Sequence, residues 1–260
     1  MNNLSFGIGP IEAEFWLVVF LMVRTGAAMV AAPIFGAMGV PAQVRVVAAG
    51  AVAVFVAAWT DVSAPAEVFS IEGALAVAGE VVVGLTLGFV LQLAFAGPVL
   101  AAEVIGGAMG LSMAMTSDPQ AGTQITAFGQ FFTIVLTLIF LALGGHLQWL
   151  ELVVESYSTF PPGETWLGDD RTVMIAGFAT QMFRFGVLIS LPITLVLLMV
   201  QVLTGILSRS APSLNLFALG LPSGVLAGLG ALIVASPLIY AEFETIARTG
   251  LDNVALVIAP

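Results

Sequence analysis

Four stretches of this chain carry no formally charged side chain and are each long enough to cross a lipid bilayer: Val81 to Ala102, Pro119 to Leu150, Phe185 to Ser208 and Ser210 to Ala241. A hydrocarbon core of roughly 30 Å needs about 20 apolar helical residues. No soluble fold requires four such runs. The remaining composition agrees: 60% of the 260 residues are hydrophobic, 8% are charged, and there is no cysteine. Disulfides, thiolate nucleophiles and cysteine metal sites are thereby excluded. A net charge of -10 argues against nucleic-acid binding, because no basic patch exists to hold phosphates.

The hydropathy pattern places spans near 15–32, 44–60, 73–96, 125–145, 173–200 and 216–240. Glu12 and Glu14 precede the first run and no basic region does, so this run reads as a retained helix rather than a signal peptide. The 28 glycines and 13 prolines puncture the apolar runs. Gly97-Pro98 is expected to break the third helix, and Pro192 either bends or breaks the fifth. The connection from His146 to Thr172 looks the most soluble, with Leu147 to Tyr157 as an amphipathic surface helix and Glu242 to Asp252 as a polar tail. Arg45 and Arg209 border loops on one side of the membrane, and Arg171 opposes them. A two-to-one majority favours both termini outside the cytoplasm.

Polar groups at bilayer depth are the first functional candidates. Arg24 and Arg184 each sit inside an apolar run. A buried arginine there costs about 2.5 kcal/mol or more unless it is paired or reaches the interface. Pairing with Glu80 or Glu103 is one reading; a shallow helix whose arginine snorkels to water is the other. Gly84 with Gly88, Gly106 with Gly110, and Gly220 with Gly224 and Gly228 have the spacing that lets helices approach closely.

The stretch from Gly106 to Pro119 is the most unusual. Met109, Met113 and Met115 lie among small residues and end at Asp118-Pro119. Methionine adapts to irregular surfaces, and glycine permits sharp turns. The stretch reads either as a deformable constriction or as a re-entrant connection filling a gap. His146, the single histidine, reads as an interfacial hydrogen-bonding residue, and Glu151 with Glu155 makes at best a weak metal site. There is no phosphate-binding loop, no HExxH and no recognisable serine–histidine–acid spacing, so no enzyme, cofactor or catalytic residue is expected. A small-solute transporter would use broken helices and intramembrane charges, but no internal repeat is visible.

The order of several short motifs resembles the FliR family, inner-membrane subunits of the flagellar type III export apparatus with relatives in virulence secretion systems. The likeness runs from Phe15 to Tyr240. It rests on Arg24 with Ala32-Pro33-Ile34-Phe35-Gly36 and Pro41, on Gly79-Glu80 with Gly84 and Leu87-Gly88-Phe89, and on Glu103 to Gly106, Met109-Gly110 and Asp118-Pro119. It continues through Leu138 to Leu141, Gly144-Gly145-His146, Ser156, Phe160-Pro161, Gly205 to Pro212, Asn215 to Phe217, Gly220 and Pro222. The family's usual glutamines are replaced by Ser213 and Ala108.

The resemblance implies an all-α export-gate subunit of bent helical hairpins. Residues 1–172 would be like FliP and residues 173–260 like FliQ, with a plug loop near 106–122. It implies partners of the FliP, FliQ and FlhB families, unfolded flagellar proteins in transit, and a place in the bacterial inner membrane within the basal body. The plug candidates are then Gly106, Met109, Gly110, Met113, Met115, Asp118 and Pro119; Arg24, Glu80, Glu103, Arg184, Pro192 and Arg209 are structural or pairing candidates. Energy for export would come from the proton-motive force and an associated ATPase, and Arg209 would lie towards the cytoplasmic entrance.

Overall fold

The computed structural model describes residues 9–37, 39–60, 70–111, 126–163, 168–210 and 216–259. Among them the chain is all-α, as the sequence implies, with seven helices and no strand: α1 Gly9–Ala31, α2 Ala42–Trp59, α3 Ile71–Ala108, α4 Ala127–Ala142, α5 Gly145–Thr159, α6 Asp169–Ser210 and α7 Leu216–Ile258. Five of these, α1, α2, α3, α6 and α7, are long and apolar enough to cross a membrane. The pair α4 and α5, broken at Gly144, makes a sixth if counted as one interrupted span.

Three helices are far longer than the sequence pattern suggests. α3, α6 and α7 have 38, 42 and 43 residues, about 57, 63 and 65 Å at 1.5 Å per residue. Each carries proline in its interior: Pro98 in α3, Pro192 in α6, and Pro222 and Pro237 in α7. The expected break at Gly97-Pro98 does not occur, and of the two readings of Pro192 the broken one is excluded. One proline removes one backbone hydrogen bond, whereas ending a helix in apolar surroundings strands up to four carbonyls and four amides. Gly97 serves packing instead: a Cβ there would lie 3.0 Å from Phe185 Cβ and 3.3 Å from the Met182 carbonyl. The supposed polar tail is likewise helix. Glu242, Glu244, Arg248 and Asp252 ride on α7, with Arg248 Nη2 2.9 Å from Glu244 Oε1 one turn away.

The chain forms two compact units. The first combines residues 1–92, 144–178 and 250–260. Its core includes Leu21, Ala53, Val56 and Tyr157, flanked by Leu17, Val18, Met22, Val52 and Val154. α1 and α3 meet at the glycine pair foreseen from the spacing. A Cβ on Gly84 would overlap the Arg24 carbonyl and lie 2.9 Å from Ala27 Cβ, and one on Gly88 would lie 2.5 Å from the Ala28 carbonyl and 2.6 Å from Ala31 Cβ.

α5 is the amphipathic helix its sequence suggests, with a deeply packed inner face. Trp149, Val153, Ser156 and Tyr157 form one buried stripe, while Glu151 and Glu155 face outward. Trp149 stacks on Phe35 at 5.6 Å and donates Nε1–H to the Leu87 carbonyl at 3.3 Å.

The second unit combines residues 93–143 and 179–249. Edge-to-face pairs link α3 to α4 through Phe95 and Phe140, at 5.5 Å, and α4 to α7 through Phe132 and Phe243, at 5.4 Å. Gly186 accommodates Leu100, whose Cδ2 would be 2.8 Å from an added Cβ. α6 leaves apolar side chains uncovered on more than one face, from Phe183 and Val187 to Leu203 and Leu207.

Candidate functional site

Two constellations hold the residues that the sequence singles out. The first is a buried charge centre in the first unit. Arg24, on α1, and Glu80, on α3, are both fully buried. The guanidinium meets the carboxylate through two bonds, Nε to Oε2 at 2.7 Å and Nη2 to Oε1 at 2.9 Å. Nη1 donates to the Ser156 carbonyl at 2.8 Å and to Ser156 Oγ at 3.3 Å, and Nη2 donates to the Phe160 carbonyl at 2.8 Å. The five N–H donors of arginine therefore all have acceptors. The guanidinium carbon also lies 4.1 Å from the Tyr157 ring centroid, and the Tyr157 hydroxyl donates to the Leu21 carbonyl at 2.6 Å.

This geometry settles the first alternative: Arg24 is paired rather than snorkelling, and its partner is Glu80, not Glu103. Glu80 sits one turn before Gly84, so the notch that lets α3 touch the Arg24 backbone also delivers the carboxylate. Ser156 and Phe160 add a second task. The Phe160 carbonyl lies at the end of α5, where intrahelical donors run out, and the Ser156 carbonyl, which already accepts from the Phe160 amide at 2.9 Å, takes a second bond. Pro161 disfavours helix at Phe160, whose φ and ψ are -115° and 87°. Arg24 thus neutralises Glu80 and caps α5 with one planar group. The sequence named Ser156 and Phe160-Pro161 only through the family likeness; a proline just past a helical stripe was the available signal for a helix end needing donors.

The second constellation lies in the second unit, where α3 leaves its axis. Gly110 has φ 84°, the left-handed region that glycine enters without strain. The Gly110 amide donates to the Gly107 carbonyl and the Leu111 amide to the Gly106 carbonyl, both at 3.0 Å. This is a Schellman ending. Gln201 of α6 donates Nε2–H to the Ala108 carbonyl at 2.8 Å. Met109 is buried, and α7 meets it with glycine: a Cβ on Gly224 would lie 3.2 Å from the Met109 carbonyl, and one on Gly228 would lie 2.7 Å from Met109 Cε.

The three glycine pairs consequently differ. Gly84 with Gly88 is a helix-packing groove and Gly224 with Gly228 a seat for Met109. Gly106 has no neighbour within 4 Å of an added Cβ, so Gly106 and Gly110 end a helix instead of packing one.

Residues 112–125 lie outside the described residues, and with them Met113, Met115, Asp118 and Pro119. The chain is described again from Thr126. Its hydroxyl caps α4 by accepting from the Gly129 amide at 3.0 Å. Glu103 Oε1 accepts from the Thr126 amide at 3.1 Å and from its hydroxyl at 2.9 Å. Glu103 therefore holds a backbone turn rather than an arginine.

The other candidates stay apart from these centres. Arg184 is exposed on α6 and, among the described residues, enters no ion pair; Arg209 is exposed in the last turn of α6. His146 is half-buried, and its Nδ1 has no hydrogen-bond partner among the described residues. No group of three or more metal-ligating side chains exists among the described residues. Arg171 was read only as a topology marker. It donates Nε–H to the Val257 carbonyl at 3.1 Å and Nη2–H to the Ala259 carbonyl at 2.9 Å, and lies 4.8 Å from the Phe160 ring centroid. Beside it, Thr159 Oγ1 donates to the Ile258 carbonyl at 2.8 Å.

Residues 15–249 match the family described as bacterial export proteins, family 1. The chain is 30% identical over 226 residues to the flagellar biosynthetic protein FliR of Pectobacterium carotovorum subsp. carotovorum, covering 86% of each. It is 30% identical over 229 residues to FliR of Escherichia coli strain K12, again covering 86% of each, and 29% identical over 247 residues to FliR of Bacillus subtilis strain 168, covering 94% of each. The match spans both the buried arginine centre and the ending of α3, and with five helices able to cross a membrane it establishes that the chain belongs to the FliR family of bacterial export proteins.

Proposed function

We propose that this chain is an inner-membrane subunit of the flagellar type III export gate, and that it forms the channel for unfolded flagellar proteins together with FliP and FliQ family proteins. The observation that carries this reading is the family match over residues 15–249, with flagellar biosynthetic proteins as the curated relatives. Helices of about 60 Å with apolar side chains uncovered on more than one face support it. A span upright in lipid needs about 30 Å, whereas a helix leaning within an assembly can use more.

In this reading residues 1–172 take the FliP-like part and residues 173–260 the FliQ-like hairpin, and an FlhB family protein associates with the gate. The stretch from Gly106 to Gly122, with Met109, Met113, Met115, Asp118 and Pro119, is the plug that closes the resting channel. The chain contributes structure and a path, not a reaction.

The test is purification from native membranes. The expected result is a stable complex containing FliP-like and FliQ-like proteins, whose loss on deleting this chain abolishes flagellar export. A monodisperse monomer that transports a small solute across liposomes overturns the reading.

A further inference from the structure

Within the first unit, α2 and α5 enclose a groove of about 710 Å³ that opens on the surface. α2 supplies Ala51, Val52 and Phe55 to it, and α5 supplies Val154 with Glu151 and Glu155. Val52 and Val154 also pack on the core cluster of Leu21, Ala53, Val56 and Tyr157, so the interior holds the floor in place. Phe55 is half exposed and stacks at 5.7 Å on the more exposed Trp59, which extends the apolar ridge to the end of α2. Aromatic side chains of this kind are common anchors of protein interfaces.

The polar side of the groove carries one sign of charge. Glu151 and Glu155 are exposed one turn apart on α5, and like charges at that spacing repel. Neither enters an ion pair among the described residues. The α2 helix beside them is apolar and long enough to cross a membrane, with Val47, Val54 and Trp59 uncovered. Carboxylates beside such a surface are costly to leave against lipid.

The complement is not found in this chain. It has six lysine-plus-arginine residues, all of them arginine, and the nearest two, Arg171 and Arg184, are 13 residues apart. No helix of a second copy therefore offers two cations one turn apart. A phospholipid is a poor match as well, because its phosphate would face two carboxylates. A helix with basic residues at i and i+4 does match: four residues rise about 6 Å, the spacing of Glu151 and Glu155 along α5. Aliphatic residues on its adjoining face then enter the floor, where the small side chain of Ala51 leaves room.

We propose that this groove seats a helix of a neighbouring gate subunit, one that presents two arginine or lysine residues a turn apart to Glu151 and Glu155 and an aliphatic face to Val52, Phe55 and Val154. The proposal rests on the reading of the chain as an export-gate subunit. It adds which face of the chain a partner covers, and through what chemistry.

The test uses the complex with co-expressed FliP-like and FliQ-like proteins. The photo-cross-linking residue p-benzoylphenylalanine replaces Phe55, and the site it captures is located by mass spectrometry. The expected result is capture of a partner helix that carries two basic residues a turn apart. Capture of phospholipid, of a second copy of this chain, or of a partner segment without that basic pair overturns the proposal.

Glu151→Lys with Glu155→Lys should cut recovery of the captured partner about tenfold or more, because like charges then meet across the interface. Replacing the partner's two basic residues with glutamate should restore recovery. Unchanged recovery of the charge-reversed chain overturns the proposal, as does a partner reversal that restores nothing. Both glutamates are exposed, so the reversed chain should melt with the parent. If it does not, Glu151→Gln with Glu155→Gln carries the test, with reduced recovery expected and parental recovery overturning the proposal. Failure of the proposal alone leaves the parental complex intact. A parental chain that recovers neither FliP-like nor FliQ-like protein overturns the export-gate reading, and the proposal with it.

Discussion

Replacing either member of the Arg24–Glu80 pair should cost more than replacing both. In the variant Glu80→Leu the guanidinium keeps its bonds to Ser156 and Phe160 but loses both carboxylate acceptors, at a site with no exposure. In Arg24→Leu the buried carboxylate loses its guanidinium, the Phe160 carbonyl loses the same donor, and the Ser156 carbonyl keeps only the Phe160 amide. Breaking one side of a buried ion pair typically costs about 3–5 kcal/mol. The double variant leaves no lone charge, only the Phe160 carbonyl without its arginine donor, at about 1–3 kcal/mol. A cycle over the four proteins should therefore return a coupling of about 2 kcal/mol or more. Arg24→Lys should behave like a loss variant, because one ammonium cannot reach a bidentate carboxylate and two separate carbonyls together.

The assay is thermal unfolding of the detergent-solubilised chain, with co-purification of partners as the check on assembly. At about 2–4 °C per kcal/mol for a chain of this size, each single variant should melt roughly 6 °C or more below the parent. The reasoning is refuted if Arg24→Lys melts with the parent, or if the single losses simply add in the double variant.

Two further substitutions probe the close approaches. Gly88→Ala places a methyl 2.5 Å from the Ala28 carbonyl, so it should destabilise by about 1–3 kcal/mol, read as a lower melting temperature; the same change at Gly106, where the space is open, should cost no more than a few tenths from backbone effects. Gly110→Ala forces a side chain into φ 84° and should cost about 1–2 kcal/mol, visible as faster backbone amide exchange at Gly110 and Leu111.

The apolar spans, the need of Arg24 for a partner and the Gly84–Gly88 groove were legible in the sequence because each follows from local chemistry: a transfer cost, a charge in hydrocarbon, a spacing of four. The choice between Glu80 and Glu103 was not legible. It depends on which carboxylate a helix crossing delivers, and crossings are tertiary facts. Proline misled for a related reason. Propensity ranks Pro98 as a breaker, but propensity is measured in water, where freed backbone groups find solvent; in an apolar setting continuing the helix is cheaper. α5 was legible as amphipathic, but not the depth at which its inner face packs. Its two glutamates and several hydroxyl residues suggest solvent on one face, while Trp149, Val153, Ser156 and Tyr157 fall at i, i+4, i+7 and i+8, a core stripe among polar neighbours. The plug candidates beyond Leu111 rest on the family likeness, and what the structure adds is how the chain enters and leaves that stretch.

The contacts of Thr159 and Arg171 with residues 257–259 bear on the order of events during synthesis. The first unit takes its parts from residues 1–92, 144–178 and 250–260, with the whole second unit encoded between them. When Thr159 has been made, the Ile258 carbonyl that it will meet is still 99 residues away. At roughly 5–20 residues per second, that is about 5–20 s of translation. For that interval α5 is in place without its last neighbours, while two membrane-length helices are being inserted. A ribosome stalled in α7 would leave a first unit that lacks residues 250–260 and with them the acceptors of Thr159 and Arg171.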